Sequence, residues 1–127
     1  MRKIIFRGKG NPKYNDEEWL EGYLIKDSDG DYQIFLGGCI RRTVLSETIG
    51  QYIGLIDRNG NKIFEGDIVN ILTENEEIGV IVYEDGGFIV RADKFSVDFI
   101  NNINGTDVEV IGNKYDNPEL LGDLDYE

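Results

Sequence analysis

At 127 residues, with 40% apolar and 30% charged side chains, the chain suits one domain with a core of real size, and its composition is that of a folded protein rather than a disordered one. A net charge of −12 argues against a nucleic-acid backbone as partner. The absence of histidine removes Ser-His-Asp and Cys-His catalysis together with His-based metal sites.

The first strand is expected at Met1–Arg7, and the second at Trp19–Lys26 (WLEGYLIK), with Trp19, Tyr23 and Ile25 on one face and Leu20 and Leu24 on the other. A DSDGD turn leads into Tyr32–Leu36, which makes residues 19–36 a hairpin. Residues 40–53 read as extended, with a short turn at Ser46–Thr48. In YIGLIDRNGNKIF the Asn59-Gly60 pair predicts a type I′ hairpin turn, and a further strand starts at Asp67. Ile78–Tyr83 and Phe88–Arg91 flank EDGG as another hairpin. Residues 93–104 are ambiguous: Phe95, Phe99 and Ile103 fit a helix, Phe95, Val97 and Phe99 a strand, and a short helix or irregular segment is favoured. Val108–Asn113 is the last strand, followed by a helical turn in which Asn117 caps and Pro118 takes the first position. The chain closes on an acidic tail from about residue 122, GDLDYE. The fold class is therefore mainly β. A single compact domain of two β-rich halves is expected, barrel- or sandwich-like, with several hairpins and one or two short helical segments.

Several stretches imitate functional sites. Asp27, Asp29 and Asp31 alternate as calcium ligands do, but an EF-hand loop needs Gly at position six and Glu at position twelve, where Tyr32 and Gly38 stand. From Asp57 the series Asp57, Asn59, Asn61 fails in the same way, at Lys62 and Ile68. No metal or cofactor is expected. Gly66 predicts a bulge or bend, and Asp67 a bond to nearby backbone N–H groups. Glu65 and Asp67 lack the surroundings of an acid/base couple. Arg41-Arg42 beside Tyr32, Phe35 and Tyr52 is a weak basic-aromatic signal for single-stranded nucleic acid. Cys39, alone in LGGCIRR, allows no internal disulfide and reads as a small apolar residue. The N-terminus has only three consecutive apolar residues, too few for a signal peptide, and no window is long enough for a membrane helix. A cytoplasmic location is the expectation. Charge is divided unevenly: residues 1–64 hold 10 Lys+Arg and 9 Asp+Glu, residues 65–127 hold 3 and 16, or +1 against −13. Such asymmetry suits head-to-tail self-association or a cationic partner.

The segments IIFRGKG (4–10), EWLEGYLI (18–25), ETIGQYIGLIDRNGNKIFEGDIV (47–69), IGVIVYEDGGFIV (78–90) and VEVIGNKYDNPELL (108–121) follow in an order that resembles the YopX-like family of phage and prophage proteins from Gram-positive bacteria. Ile53 departs from the family's frequent Thr, and residues 93–105 match only loosely. The resemblance implies a mainly β protein encoded by mobile elements and brings no catalytic residues. Its motif residues Asp57, Asn59, Gly60, Glu65, Gly66 and Asp67 read as turn and bulge determinants. The expected function is that of a non-enzymatic accessory protein that forms homo-oligomers and binds another protein, with no membrane partner and nucleic acid disfavoured. The alternative is a role in phage nucleic-acid metabolism, through Arg41 and Arg42 or by acidic mimicry of DNA. A hydrolase using Asp and Glu alone ranks third.

Overall fold

The computed structural model of the chain describes residues 4–14, 18–72, 77–92, 96–98 and 107–122. Among them are eleven strands: β1 (Phe6–Lys9), β2 (Trp19–Lys26), β3 (Tyr32–Gly37), β4 (Ile40–Thr43), β5 (Gly50–Ile56), β6 (Lys62–Phe64), β7 (Asp67–Ile71), β8 (Glu77–Glu84), β9 (Gly87–Ala92), β10 (Ser96–Asp98) and β11 (Val108–Asn113). Single 3-10 turns stand at Ser46–Thr48 and Pro118–Leu121. The fold is mainly β, in two antiparallel sheets. Among the described residues no helix is long and apolar enough to cross a membrane. Contacts divide the chain into two compact units, Met1–Tyr52 and Ile53–Glu127.

The first sheet has the order β4-β3-β2-β1-β5-β6, and the first unit holds β1–β4 and the start of β5. Alternation along β2 sends Leu20 and Leu24 inward, where they meet Ile34 and Val44 with Phe6, Tyr32 and Ile49 around them. Tyr23, on the opposite face, is 66% exposed. The sheet curls until β4 meets the end of β1. Asn11 N–H donates to the Thr43 carbonyl and Leu45 N–H to the Lys9 carbonyl, both at 2.9 Å, and Gly10 bridges to Val44. This small, nearly closed barrel pairs the end of its edge at residues 43–45, while Ile40–Arg42 of β4 stay exposed, as do Glu21 and Tyr23 on its outer face. Thr48 seals the seam: its buried hydroxyl accepts from Lys9 N–H at 2.9 Å and donates to the Leu45 carbonyl at 2.6 Å.

In the second unit the order is β10-β9-β8-β7-β11. Strand β7, flanked by β8 and β11, is apolar on both faces. Val69 and Ile71 join Ile53, Ile63, Ile81, Phe88 and Val90 on one side. Ile68 and Val80 pack on the other side with Leu121, from the closing 3-10 turn. Each such side chain fully buried stabilises by about 1.5–3 kcal/mol, so this double-sided strand is the unit's main apolar asset.

Several expectations change. The first strand runs over Phe6–Lys9, because its pairing with Lys9↔Trp19 and Phe6↔Gly22 sets its position, not the apolar run that precedes it. Residues 1–3 lie outside the described residues. Within 93–104, Ser96–Asp98 is a strand paired with β9, with Val97 opposite Val90. The favoured helix is therefore wrong there, since a paired edge outweighs a four-residue spacing. The remaining positions of that segment, and tail residues 123–127, lie outside the described residues. The final turn begins at Pro118 as expected, but the Asn117 side chain does not cap it. Asn117 Oδ1 instead accepts from the Asn113 N–H at 3.2 Å, tightening the preceding loop.

Candidate functional site

Two loops of the chain share one construction. In Asp27–Asp31 and Asp57–Asn61 the first N–H donates to the fifth carbonyl at 2.8 Å, and the fourth residue's N–H donates to the first carbonyl at 3.1 Å. The leading aspartate's Oδ1 accepts from the third and fifth amides, at 2.9 and 3.0 Å for Asp27 and 2.9 and 2.8 Å for Asp57. Gly30 and Gly60 hold φ of +87° and +85°. Each loop is thus a type I turn closed by a left-handed glycine, the usual three-residue hairpin connection. The shared letters are DSDGD and DRNGN. The calcium-like alternation arises because the first Asp must reach two amides on its own loop.

The type I′ turn expected at Asn59-Gly60 is therefore not formed there. It needs two left-handed residues, and Asn59 is not one of them; among described residues the only non-glycine with positive φ is Asp85. Asp85 (φ 52) and Gly86 (φ 82) make that turn instead, between paired Glu84 and Gly87. Loop length decides: two residues separate Glu84 from Gly87, three separate Asp57 from Asn61. Gly60→Ala should cost about 1 kcal/mol by thermal melting, the strain of a left-handed Cβ in otherwise open space. An unchanged melting temperature would remove the left-handed assignment.

Burial separates the two loops. Asp57 is 2% exposed. Its Oδ2 also accepts from Val110 N–H in β11 at 2.9 Å and from the Asn61 amide at 3.4 Å, while Arg58 N–H donates to the Val108 carbonyl at 3.2 Å. Burial raises the Asp57 pKa, but the amides of Val110, Asn61 and Asn59 and the Asn61 side chain outweigh it, and the carboxyl sits below its usual value. A carboxylate ionised and saturated in this way is a poor carrier of protons.

The other motif residues gather at the next corner. Asp67, 1% exposed, accepts from Phe64 N–H through Oδ2 at 2.8 Å. Gly66 (φ 94) donates to the Ile81 carbonyl at 2.8 Å and accepts from Lys114 N–H at 2.9 Å. A Cβ on it would stand 3.1 Å from the Tyr115 ring. Half-buried Glu65 precedes it in the turn. All six motif residues thus lie in or beside turns. Among the described residues no group of three or more His, Cys, Asp and Glu side chains could hold a metal ion.

The first unit's outer face is different. Arg41, Phe35 and Tyr23 stand directly opposite one another on β4, β3 and β2. One step beyond the Phe6↔Gly22 pair, Ile5 continues the row, and Tyr52 N–H donates to its carbonyl at 2.8 Å. Ile5, Glu21, Tyr23, Phe35, Leu36 and the Gly22 backbone line a shallow depression of ≈ 180 Å³. Arg7 lies 4.8 Å over the Trp19 ring on the same face. Arg41 and Arg42 do not form one patch. They are consecutive on a strand, so Arg42 faces the other way, opposite Ile34, and donates to the Arg41 carbonyl at 3.0 Å. Tyr32 packs on the barrel core rather than beside Arg41. Cys39 is exposed in the β3–β4 turn, not buried as a small apolar residue would be. Sequence reading missed the row because cross-strand register places its members, not proximity along the chain.

The family model described as YopX protein matches residues 8–122. The chain belongs to the YopX family. The crystal structure of protein yopX from Bacillus subtilis is 23% identical and aligns over 98% of this chain and 100% of its own, with a TM-score of 0.60. That of protein EF1440 from Enterococcus faecalis is 24% identical over 95% and 99%, with a TM-score of 0.58. At these identities the likeness carries the fold alone. No curated protein matches the chain.

Proposed function

We propose that this YopX-family chain is a non-enzymatic accessory protein of phage or prophage origin, working in the bacterial cytoplasm by associating with itself and docking a protein partner. The observation that carries the reading is a contrast between its two kinds of conspicuous residue. The buried aspartates of the family motif spend their oxygens on backbone amides. Of the exposed large side chains, Tyr23 and Leu36 instead line a ready apolar depression on the first unit, and exposed Ile40 pairs with Gly37 at its edge. Aromatic and aliphatic anchors around a pocket, with arginine at the rim, are the ingredients of a protein interface.

Sedimentation across a concentration series tests the self-association. Reversible association below millimolar concentration is expected, and Tyr23→Ser with Leu36→Ser should weaken it. A strict monomer throughout would remove that part of the reading. The row Arg41–Phe35–Tyr23 also favours a second reading, bases of single-stranded nucleic acid stacked on the aromatics. It is weaker because Arg42 faces away and the first unit carries 8 Lys+Arg against 8 Asp+Glu, no excess to neutralise phosphates. Tight binding in a low-salt gel shift would reverse the order.

A further inference from the structure

The second unit carries what the first unit's depression lacks. It holds 5 Lys+Arg against 17 Asp+Glu, so the entire net charge of −12 resides there while the first unit is balanced at zero. Its β8–β9 hairpin ends in Tyr83-Glu84-Asp85. Tyr83 is 57% exposed, and its ring stands edge-on to that of buried Phe88, with centroids 5.2 Å apart. Glu84 is ion-paired with Arg91. Asp85 is exposed, and the type I′ turn presents it in the left-handed conformation. The tip thus offers one preorganised aromatic ring and one unengaged neighbouring carboxylate on a two-residue turn. A rigid aromatic loses little freedom on docking, which is what an anchor residue needs.

Resting on the self-association proposed above, we infer that the occupant of the depression is a second copy of this chain. The Tyr83 ring enters between Tyr23, Phe35 and Leu36 of its neighbour, and Asp85 meets the neighbour's Arg41. Arg41 stands at the end of the row that forms the depression, directly across from Phe35, so an anion next to an inserted ring lies within its reach. Receptor and tip are different patches, so the contact is heterologous and joins successive copies head to tail, into a ring or an open chain. The uneven charge then acts as steering: the balanced unit of one copy accepts the acidic unit of the next, and two acidic units repel.

A charge swap on the full-length protein, followed by sedimentation and light scattering, tests this. Arg41→Glu and Asp85→Arg should each weaken association roughly tenfold or more, since like charges then face each other. Mixing the two single variants, or combining both changes in one chain, should restore it. Both positions are exposed, and circular dichroism verifies that each variant is folded. If the wild type associates but neither variant weakens it, self-association stands and this contact is overturned. If the single changes weaken it and the swap does not restore it, the tip is the wrong occupant and the inference fails on that point. A wild type that stays monomeric removes both the inference and the reading beneath it.

Discussion

Asp57→Ala lowers the free energy of unfolding by about 3 kcal/mol in urea denaturation, against about 0.5–1 kcal/mol for Asp27→Ala in the twin loop. The two loops have the same internal bonds, so the difference isolates what burial and the third strand add. Removing Asp27 frees two amides that water can reach. Removing Asp57 also strands the Val110 N–H and leaves a hole where a carboxylate was 2% exposed. Asp57→Asn serves as the milder test. It keeps the shape, but an amide that accepts the Asn59 and Asn61 amides turns its NH₂ towards the Val110 N–H, donor against donor. The pH dependence follows from the lowered pKa of Asp57. Its folded carboxyl titrates below the ordinary aspartate value of 3.8, so its contribution is complete above that value. The contribution is lost as the pH falls through the lower, folded value. Wild type should therefore lose stability in acid more steeply than Asp57→Asn, and converge on it at the bottom of that window. Parallel curves for the two proteins would show that Asp57 is not held ionised by these bonds.

What could be read from the letters alone divides along the range of the interaction. Hairpin positions were legible, because Asp, Asn and Gly specify turns within five residues; β2 and β11 fall at their expected limits, Trp19–Lys26 and Val108–Asn113. The kinship of DSDGD and DRNGN was equally local and visible in the letters. Turn type was not legible at Asn59-Gly60, because it depends on which residues pair outside the dipeptide. The fourth role of Asp57 was beyond reach: its Val110 partner lies 53 positions further on. β10 escaped for a related reason. A three-residue strand exists through its partner β9, and its own pattern carries too few positions to choose between periods. The outer row on the first unit combines both cases. The alternation that separates Arg41 from Arg42 is a property of any strand and could have been applied, as could the turn-set pairing of Tyr23 with Phe35; the register that sets Phe35 against Arg41, across a shift between Phe35 and Gly37, could not.

Gly22→Ala should be the most damaging single methyl group in the first unit, with a loss of about 3 kcal/mol or more. A Cβ at that position would stand 2.1 Å from the Phe35 carbonyl oxygen and 3.1 Å from Ile34 Cγ2. The obstacle is backbone, so no rotamer change relieves it; β2 and β3 must part where the Tyr23↔Phe35 pairing ends. That close crossing is also where β3 shifts register against β4, between Phe35 and Gly37, and the barrel turns its corner. Trp19 is the chain's single tryptophan and lies three residues away on β2, so its fluorescence reports this unit's unfolding. Gly30→Ala is the control. It meets open space, has only its left-handed φ of +87° to pay for, and should cost about 1 kcal/mol. The consequence reaches the proposed interface as well. Gly22 contributes only backbone to the depression, and the approach of the two strands brings Tyr23 and Phe35 to its rim. Separating the strands should weaken self-association under conditions where the altered chain remains folded. If Gly22→Ala is as stable as wild type, or is destabilised no more than Gly30→Ala, the close approach of β2 to β3 is wrong, and the depression built on it goes too.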